Sequence, residues 1–192
     1  MKILDLIGHA LRPIHSDSAK LMDSQPGVRN VPNNISLSSP AFENGQAIPI
    51  SHSVDGSGFF PELQWKNLPA GCQSLLLVME DPDAPRAEPF VHVIVYNIPP
   101  NWSVLAKSVF TADGLSQDAI NNGVAIGLNS AGKAAYMPPA PPRGHGLHHY
   151  HFQLLALDAK LLFPGEPTLP EVKEAVTGRI LAASELVGTF ER

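Results

Sequence analysis

The stretch Leu75-Leu-Leu-Val-Met-Glu-Asp-Pro-Asp-Ala-Pro-Arg86 joins a run of apolar residues to an acidic, proline-rich turn. Its five leading apolar residues follow one another without alternation, which predicts a strand that is buried on both faces. Pro82 and Pro85 then fix the backbone φ and push the residues before them into extended geometry. We therefore expect a core strand that carries two carboxylates, Asp81 and Asp83, to one end of the fold on a stiff turn.

The composition favours a β protein and argues against some classes of partner. A chain of 192 residues can form one domain with its own core, and its 19 prolines and 15 glycines suit short strands and tight turns. The net charge of −5, with no basic run, argues against nucleic acid as a partner.

The sequence predicts neither export nor a membrane span. The N-terminal apolar run is interrupted by Asp5 and His9 and is not followed by a small-residue cleavage site, so we expect no secretory signal. No apolar stretch approaches the roughly 20 residues that a membrane-spanning helix needs. Cys72 is the single cysteine, which excludes an internal disulfide and fits a reducing compartment. We therefore expect a cytoplasmic protein.

The N-terminal segment divides into a short helix and a polar arm. Residues 2–11 place Leu4, Ile7 and Leu11 at helical spacing before a proline ends the pattern. We expect this helix to pack on its own domain or on a second copy of the chain, as in a homodimer. A membrane surface is the alternative, which the small number of basic residues disfavours. Residues 12–34 are rich in Ser, Asp, Asn and Pro, which is typical of an arm.

Residues 1–34 are therefore interpreted as a helix and arm, and residues 35–192 as a single domain built mainly from strands. The segment Phe90-Val-His-Val-Ile-Val-Tyr-Asn-Ile98 predicts a core strand, because it is apolar on both faces. Strict alternation places His92 on one face of this strand, together with Phe90, Ile94 and Tyr96. Taken alone, a histidine in a core strand is usually a hydrogen-bonded structural residue.

A second histidine-bearing strand is predicted from about His148 to Leu157, after a loop rich in proline and glycine. Alternation turns His148 and Tyr150 to one side and His149 and His151 to the other. At most two of the clustered histidines can therefore converge from this strand, so we expect no metal site. We interpret His149 and His151 as a solvated strand edge.

The C-terminal segment has the pattern of an amphipathic helix. Thr168-Leu-Pro-Glu171 has the spacing of a capping box, with a proline in the first turn. The apolar stripe that follows has helical spacing and consists of Val172, Val176, Ile180, Ala183 and Val187. Gly178 lies within the stripe and costs about 1 kcal/mol relative to alanine, which indicates close packing or a break into two helices.

Polar side chains are predicted on strands that otherwise belong to the core. They are the two carboxylates, then His92, then His148 with Tyr150. A few polar groups in an apolar wall are the usual form of a ligand site. Gly144-His-Gly lacks the third glycine of a dinucleotide fingerprint and leads into a strand, and no Gly-x-Ser-x-Gly elbow occurs. No cofactor is therefore expected.

These motifs resemble those of a known family. The chain is similar to the phosphatidylethanolamine-binding proteins, above all to their bacterial Raf-kinase-inhibitor-like branch. The similarity lies in three successive motifs: Leu-Val-x-x-Asp-Pro-Asp-Ala-Pro, Phe-x-His and Gly-x-Gly-Leu-His-x-Tyr. The resemblance runs from Ile35 to Arg192. It implies a mainly β fold, a sandwich of two mostly antiparallel sheets, with a C-terminal helix beside the mouth of a pocket.

The resemblance also implies what the pocket binds and which residues line it. The expected ligand is a phosphate group or a phospholipid head group, and the expected lining residues are Asp81, Asp83, His92, His148 and Tyr150. The chain departs from the family pattern at three places. Phe90 stands where the family commonly has tryptophan, Pro138 where glycine is common, and His149 where arginine is common.

We therefore expect a non-enzymatic binding protein for phosphate-bearing small molecules or phospholipid head groups, with a kinase or a protease as its protein target. A carboxylate repels phosphate unless it orients and charges a neighbouring imidazole, which then donates to the anion. The alternative is a hydrolase in which His92 or His148 acts as a general base with Asp81.

Overall fold

A computed structural model describes residues 3–192, with side chains from Leu6 onward. The strands of this part of the chain are β1 (Ser36–Ser38), β2 (Leu63–Lys66), β3 (Ser74–Asp81), β4 (Phe90–Ile98), β5 (Val104–Leu105), β6 (Phe110–Thr111), β7 (Gly114–Leu115), β8 (Ala125–Ile126), β9 (His148–Leu157) and β10 (Ile180–Phe190). The α-helices are α1 (Ile3–Leu11), α2 (Pro26–Arg29), α3 (Gln117–Asn121) and α4 (Leu169–Ala175).

Two antiparallel sheets form the body of the molecule. The larger sheet has five strands in the order β10-β9-β3-β4-β8, and the smaller has three in the order β1-β2-β5. A separate hairpin consists of β6 and β7. Every pairing between these strands is antiparallel. The prediction of a mainly β fold with antiparallel sheets is therefore confirmed.

Strand β3 is buried along its whole length because both faces of the larger sheet are covered. One core lies between the two sheets, where Leu77 of β3 and Trp65 of β2 belong to the same apolar cluster. The other core lies on the opposite face, where Leu76 packs in a cluster with Met22 of the arm and Val172 of α4. The unbroken apolar run thus predicted the burial of β3 correctly, and different elements pack against its two faces.

The arm is fastened to the larger sheet by hydrogen bonds as well as by apolar contacts. The backbone N–H of Met22 donates to Glu80 Oε2 at 2.7 Å, and that of Asp23 donates to the side chain of Gln153 at 2.6 Å. Near the end of the arm, the Pro32 carbonyl accepts from Ala183 N–H at 3.1 Å. The division of the chain at residue 34 stays a prediction, but the arm and the domain share one core.

The predicted long C-terminal helix is wrong. Only its first turns form, as α4, which begins with the predicted capping box of Thr168 and Glu171. Gly178 then adopts a φ of 75°, a left-handed conformation that ends helices, and the remaining residues form β10. Pairing with β9 satisfies the backbone groups along one side of β10, and this tertiary contact outweighs the local helical pattern. The chain therefore does not end in a helix beside a pocket mouth.

The N-terminal helix forms as α1, and its apolar stripe is partly exposed. Ile7 is 51% exposed, and the side chain of Leu4 lies outside the described residues. The helix contacts the domain through Gly8, where an added Cβ atom would lie 1.9 Å from the carbonyl oxygen of Arg143. Within residues 3–192, no helix is both long enough and apolar enough to cross a membrane.

We expect Gly8→Ala to destabilise the protein by about 1–3 kcal/mol, because the added methyl group overlaps the Arg143 carbonyl and forces α1 off the domain. The matched control is Gly27→Ala in α2, where an added Cβ meets no atom within 4 Å, so its stability should change by less than about 1 kcal/mol. Chemical denaturation of both variants measures the difference. Equal stability of the two variants would show that α1 does not rest on the domain in solution.

Candidate functional site

A cavity of about 520 Å³ opens at the end of β3, β4 and β9, between the acidic turn and the proline-rich loop. We call it the first cavity, and its lining residues are Asp81, Ala84, Pro85, Arg86, Phe90, His92, Met137, Ala140, Pro141, Pro142 and His148. Its volume falls in the range of small-molecule sites. Three of the five predicted site residues, Asp81, His92 and His148, are among those that line it.

The acidic turn holds Asp81 in a fixed position. Asp81 is the last residue of β3, and its Oδ1 accepts the backbone N–H of Asp83 at 2.8 Å, which closes an Asx turn. Its Oδ2 lies 2.7 Å from His148 Nδ1, and the Asp81 side chain is only 5% exposed. Both carboxylate oxygens therefore have a partner from the protein.

A hydrogen-bond relay runs from Asp81 to the N-terminal helix. His148 is fully buried, and its Nε2 lies 2.7 Å from His145 Nδ1. His145 Nε2 in turn lies 2.9 Å from the carbonyl oxygen of Leu11, which can only accept a proton. Both ring nitrogens of His148 are thus occupied within the protein, so His148 does not present a free N–H to a ligand.

The charge of the relay follows from counting its protons. Three hydrogen bonds join Asp81, His148, His145 and the Leu11 carbonyl, and each bond needs one proton. Two neutral imidazoles supply two protons, so the third makes one side chain an imidazolium or makes the carboxylate an acid. When all three bonds are made, the three side chains together carry no net charge. The relay therefore cancels the carboxylate charge that would otherwise repel an anion.

His92 sits on a β-bulge, which overturns the predicted alternation of β4. Val93 pairs with Met79 and Val91 pairs with Glu80, so His92 has no partner of its own on β3. Its ring lies beside that of Tyr150 at the edge of the core between the sheets, with centroids 5.2 Å apart. Ile94 and Tyr96, which were predicted to share a face with His92, belong to the core on the other side.

One ring nitrogen of His92 has no partner in the part of the chain that the structure describes. His92 Nδ1–H donates to the Met137 carbonyl at 2.7 Å, which leaves Nε2 as an acceptor in the neutral ring. Nε2 is buried and has no hydrogen-bond partner among the described residues. Burial lowers the pKa of His92, and the nearby charge of Asp81 only partly opposes this effect. The ring is therefore neutral near pH 7.

Tyr150 lies behind the two histidines. Its ring centroid is 5.2 Å from that of His92 and 6.4 Å from that of His148. The hydroxyl group is buried and finds no acceptor in residues 3–192. Burial, reinforced by the charge of Asp81, raises the pKa of Tyr150, so the phenol keeps its proton and stays a donor.

Asp83, the fifth predicted residue, faces away from the first cavity. Its Oδ2 accepts both the backbone N–H and the Nδ1–H of His149, at 2.7 and 2.8 Å. His149 is exposed, as alternation predicted. His151 is not the solvated edge that we expected, because β10 pairs with β9 and Glu185 lies 2.6 Å from His151 Nδ1. No group of three metal-binding side chains is arranged around an ion site within the described chain.

Arg86 supplies a positive charge at the rim of the first cavity. Its guanidinium carbon lies 5.3 Å from the centroid of the Phe90 ring, and no carboxylate of the described chain forms an ion pair with it. The nearby Glu88 forms an ion pair with Lys20. Arg86 thus gives the rim of this cavity a positive charge, which favours an anion.

Sequence reasoning placed neither Arg86 nor His145 at the site. Arg86 ends the stretch that organises the fold, and a search for a cation on the acidic turn would have found it. His145 precedes His148 by three residues in the glycine-rich loop, but only the fold shows that their rings meet.

The chain matches a known protein family. A family model described as phosphatidylethanolamine-binding protein matches residues 38–191. The chain belongs to this family. The match contains Asp81, His92 and His148, whereas α1 and the whole arm precede it. The relay thus joins a side-chain cluster of the family domain to a helix outside the matched segment.

Solved structures and curated relatives agree with this assignment. The PEBP homolog CT736 of Chlamydia trachomatis is 36% identical, has a TM-score of 0.72, and is matched over 84% of this chain and 99% of its own. E. coli YbcL is 26% identical, with a TM-score of 0.75 and coverage of 83% of this chain and 99% of its own. A UPF0098 protein of Aquifex aeolicus is 35% identical over 155 residues, which are 80% of this chain and 86% of that protein. The resemblance seen in the motifs is therefore confirmed.

Proposed function

We propose that the chain binds a phosphate-bearing small molecule or a phospholipid head group in the first cavity, without converting it. The observation that carries this proposal is that two residues lining this cavity have unpaired polar groups. Among the described residues, His92 Nε2 is buried without a hydrogen-bond partner and Arg86 forms no ion pair with a carboxylate; the Tyr150 hydroxyl, which is also unpaired, lies behind them. Buried polar groups are normally paired, so unpaired ones that meet at a cavity support a ligand site.

The unpaired groups match the chemistry of a phosphate monoester. Arg86 donates, and phosphate oxygens accept such bonds well. His92 Nε2 in the neutral ring accepts, and a phosphate that carries one proton can donate to it. An anion without a proton requires His92 to take up a proton first. In either form, one proton lies between His92 and the anion.

The geometry supports binding over hydrolysis. His148 was one of two candidate general bases, but both of its nitrogens are engaged by Asp81 and His145. His92 keeps a free lone pair, yet its partner is the Met137 carbonyl, and burial lowers its pKa. No serine, threonine or cysteine is among the residues that line the first cavity. Product formation from a phosphomonoester or a carboxylate ester would favour the hydrolase.

We expect Arg86→Met to weaken the binding of O-phosphoethanolamine by about tenfold, the lower part of the range for a charge-assisted hydrogen bond, because the guanidinium is exposed. Arg29→Met in α2 is the matched control and should leave the affinity unchanged. Isothermal titration with O-phosphoethanolamine, inorganic phosphate and vesicles containing phosphatidylethanolamine separates a free phosphate compound from a lipid. No binding of any of the three by the wild-type protein would refute the proposal.

A further inference from the structure

A second cavity of about 410 Å³ lies on the other side of Arg86 and is separate from the cluster of histidines. Arg86 lines both cavities. Residues of the arm, of the turn after β3, and of the segment that leads into α4 enclose the second cavity. The charged side chains that line it are Lys20, Glu80, Arg86, Glu88 and Lys173.

Glu80 gives the second cavity an unpaired polar group at a buried position. Its residue is 0% exposed, and its Oε2 accepts from Met22 N–H at 2.7 Å and from Gln153 Nε2–H at 2.8 Å. The other oxygen, Oε1, is buried and makes no hydrogen bond to the described part of the chain. A native protein rarely leaves a buried side-chain oxygen unpaired, so this atom points to a ligand.

The protonation of Glu80 decides what kind of group can meet it. Burial raises the pKa of Glu80, and the charge of Lys173 opposes that effect only in part. Because Oε2 already receives two donors, the proton of a neutral Glu80 lies on Oε1. The carboxyl group then donates to an acceptor in the ligand. Two other titratable side chains interact with Glu80. The charge of Asp23 raises the pKa of Glu80, and the charge of Glu80 raises the pKa of His151.

Two cations of the second cavity have no carboxylate partner. The ammonium group of Lys20 pairs with Glu88, whereas that of Lys173 donates to the backbone carbonyl of Lys20. Neither Lys173 nor Arg86 forms an ion pair with any acidic residue that the structure describes. Their charges are therefore available to an anion in the cavity that they share.

Apolar walls complete the second cavity. Val91 and Leu169, both in the core that the arm and α4 cover, form part of its lining together with Leu128 and Pro170. A free inorganic anion would leave these walls without contact. A compound with a short apolar body can bury surface against them while its charged end meets the cations.

We propose that the second cavity is a binding site for a small amphipathic anion, a compound with one phosphate or carboxylate group and a short apolar body. The anionic end lies between Arg86 and Lys173, one proton is shared between a ligand oxygen and Glu80 Oε1, and the apolar body contacts Val91, Leu128 and Leu169. This site lies apart from the histidine cluster of the first cavity, and the two cavities share Arg86.

The test uses hexyl phosphate as the probe, followed by methyl-group NMR of the full chain. We expect saturable shifts of the Val91, Leu128 and Leu169 methyl signals, and nuclear Overhauser contacts between these methyl groups and the hexyl chain. Lys173→Met should weaken this binding by about tenfold because it removes one of the two cations. Lys66→Met, an exposed lysine on β2, is the matched control and should bind as the wild type does.

Further variants and probes separate the parts of the proposal. Glu80→Gln keeps a neutral N–H donor beside the anion and should change the affinity by no more than about twofold. A tenfold gain in Glu80→Gln would show that the carboxyl group is charged and repels the anion, which would overturn its assigned role. Hexanol, which lacks the charge, should give no saturable shift. Hexyl phosphate shifts that appear only at His92 and Met137, or that persist unchanged in Lys173→Met, would overturn the second site.

Discussion

We expect His148→Leu to lower the free energy of unfolding by about 3–5 kcal/mol, although the leucine is apolar and similar in volume. The substitution leaves Asp81 as a carboxylate with a 5% exposed side chain and without its 2.7 Å partner. It also removes the acceptor or donor that His145 Nδ1 requires. Urea denaturation at pH 7 measures the loss directly.

The neighbouring residue on β9 provides the matched control. His149 also pairs with an aspartate, Asp83, at 2.8 Å, but these side chains are 47% and 22% exposed. Water can replace an exposed pair, so His149→Leu should cost at most about 1 kcal/mol. Adding Asp81→Asn to His148→Leu removes the unpaired charge and should recover about 1 kcal/mol or more. Similar losses in the two single variants would show that the Asp81–His148 pair is not a buried ion pair.

The sequence predicted the strands that carry the site because those strands are buried on both faces. Unbroken apolar runs have few alternative structures once prolines or glycines bound them, and β3, β4 and β9 lie where these runs do. Alternation also separated His148 from His149 correctly, because β9 pairs with β10 without interruption around these residues. The position of Asp81 followed from Pro82, which stops the strand.

The sequence could not reveal features that depend on contacts between distant segments. The bulge at His92 arises from a register shift against β3, and alternation along β4 alone cannot show it. The relay needs His145 of the loop and the Leu11 carbonyl of α1, which lie 134 residues apart. Residues from 180 onward have helical spacing, yet the partner that they find on β9 makes them a strand. In each case tertiary pairing overrides a local pattern.

We expect sulfate affinity in the first cavity to rise as the pH falls, by roughly a hundredfold from pH 8 to pH 5. Sulfate brings no proton, so His92 must become charged before Nε2 can donate to it. Burial lowers the pKa of His92 in the free protein, whereas a bound anion raises it. Affinity therefore increases as the pH falls through the pKa of the complex and levels off below the lowered pKa of the free ring. Titration at several pH values, followed by the ring resonances of His92, measures this dependence.

Phosphate should depend on pH differently, because a phosphate that carries one proton donates to neutral His92. As the pH rises, the affinity for phosphate should therefore begin to fall at a higher pH than the affinity for sulfate does. His92→Asn keeps a donor near Met137 but cannot titrate, so sulfate affinity in this variant should be nearly independent of pH. His149→Asn removes an exposed histidine outside the cavity and should keep the wild-type slope. A wild-type slope in His92→Asn would show that another group supplies the proton, and the anion would then not lie against His92 Nε2.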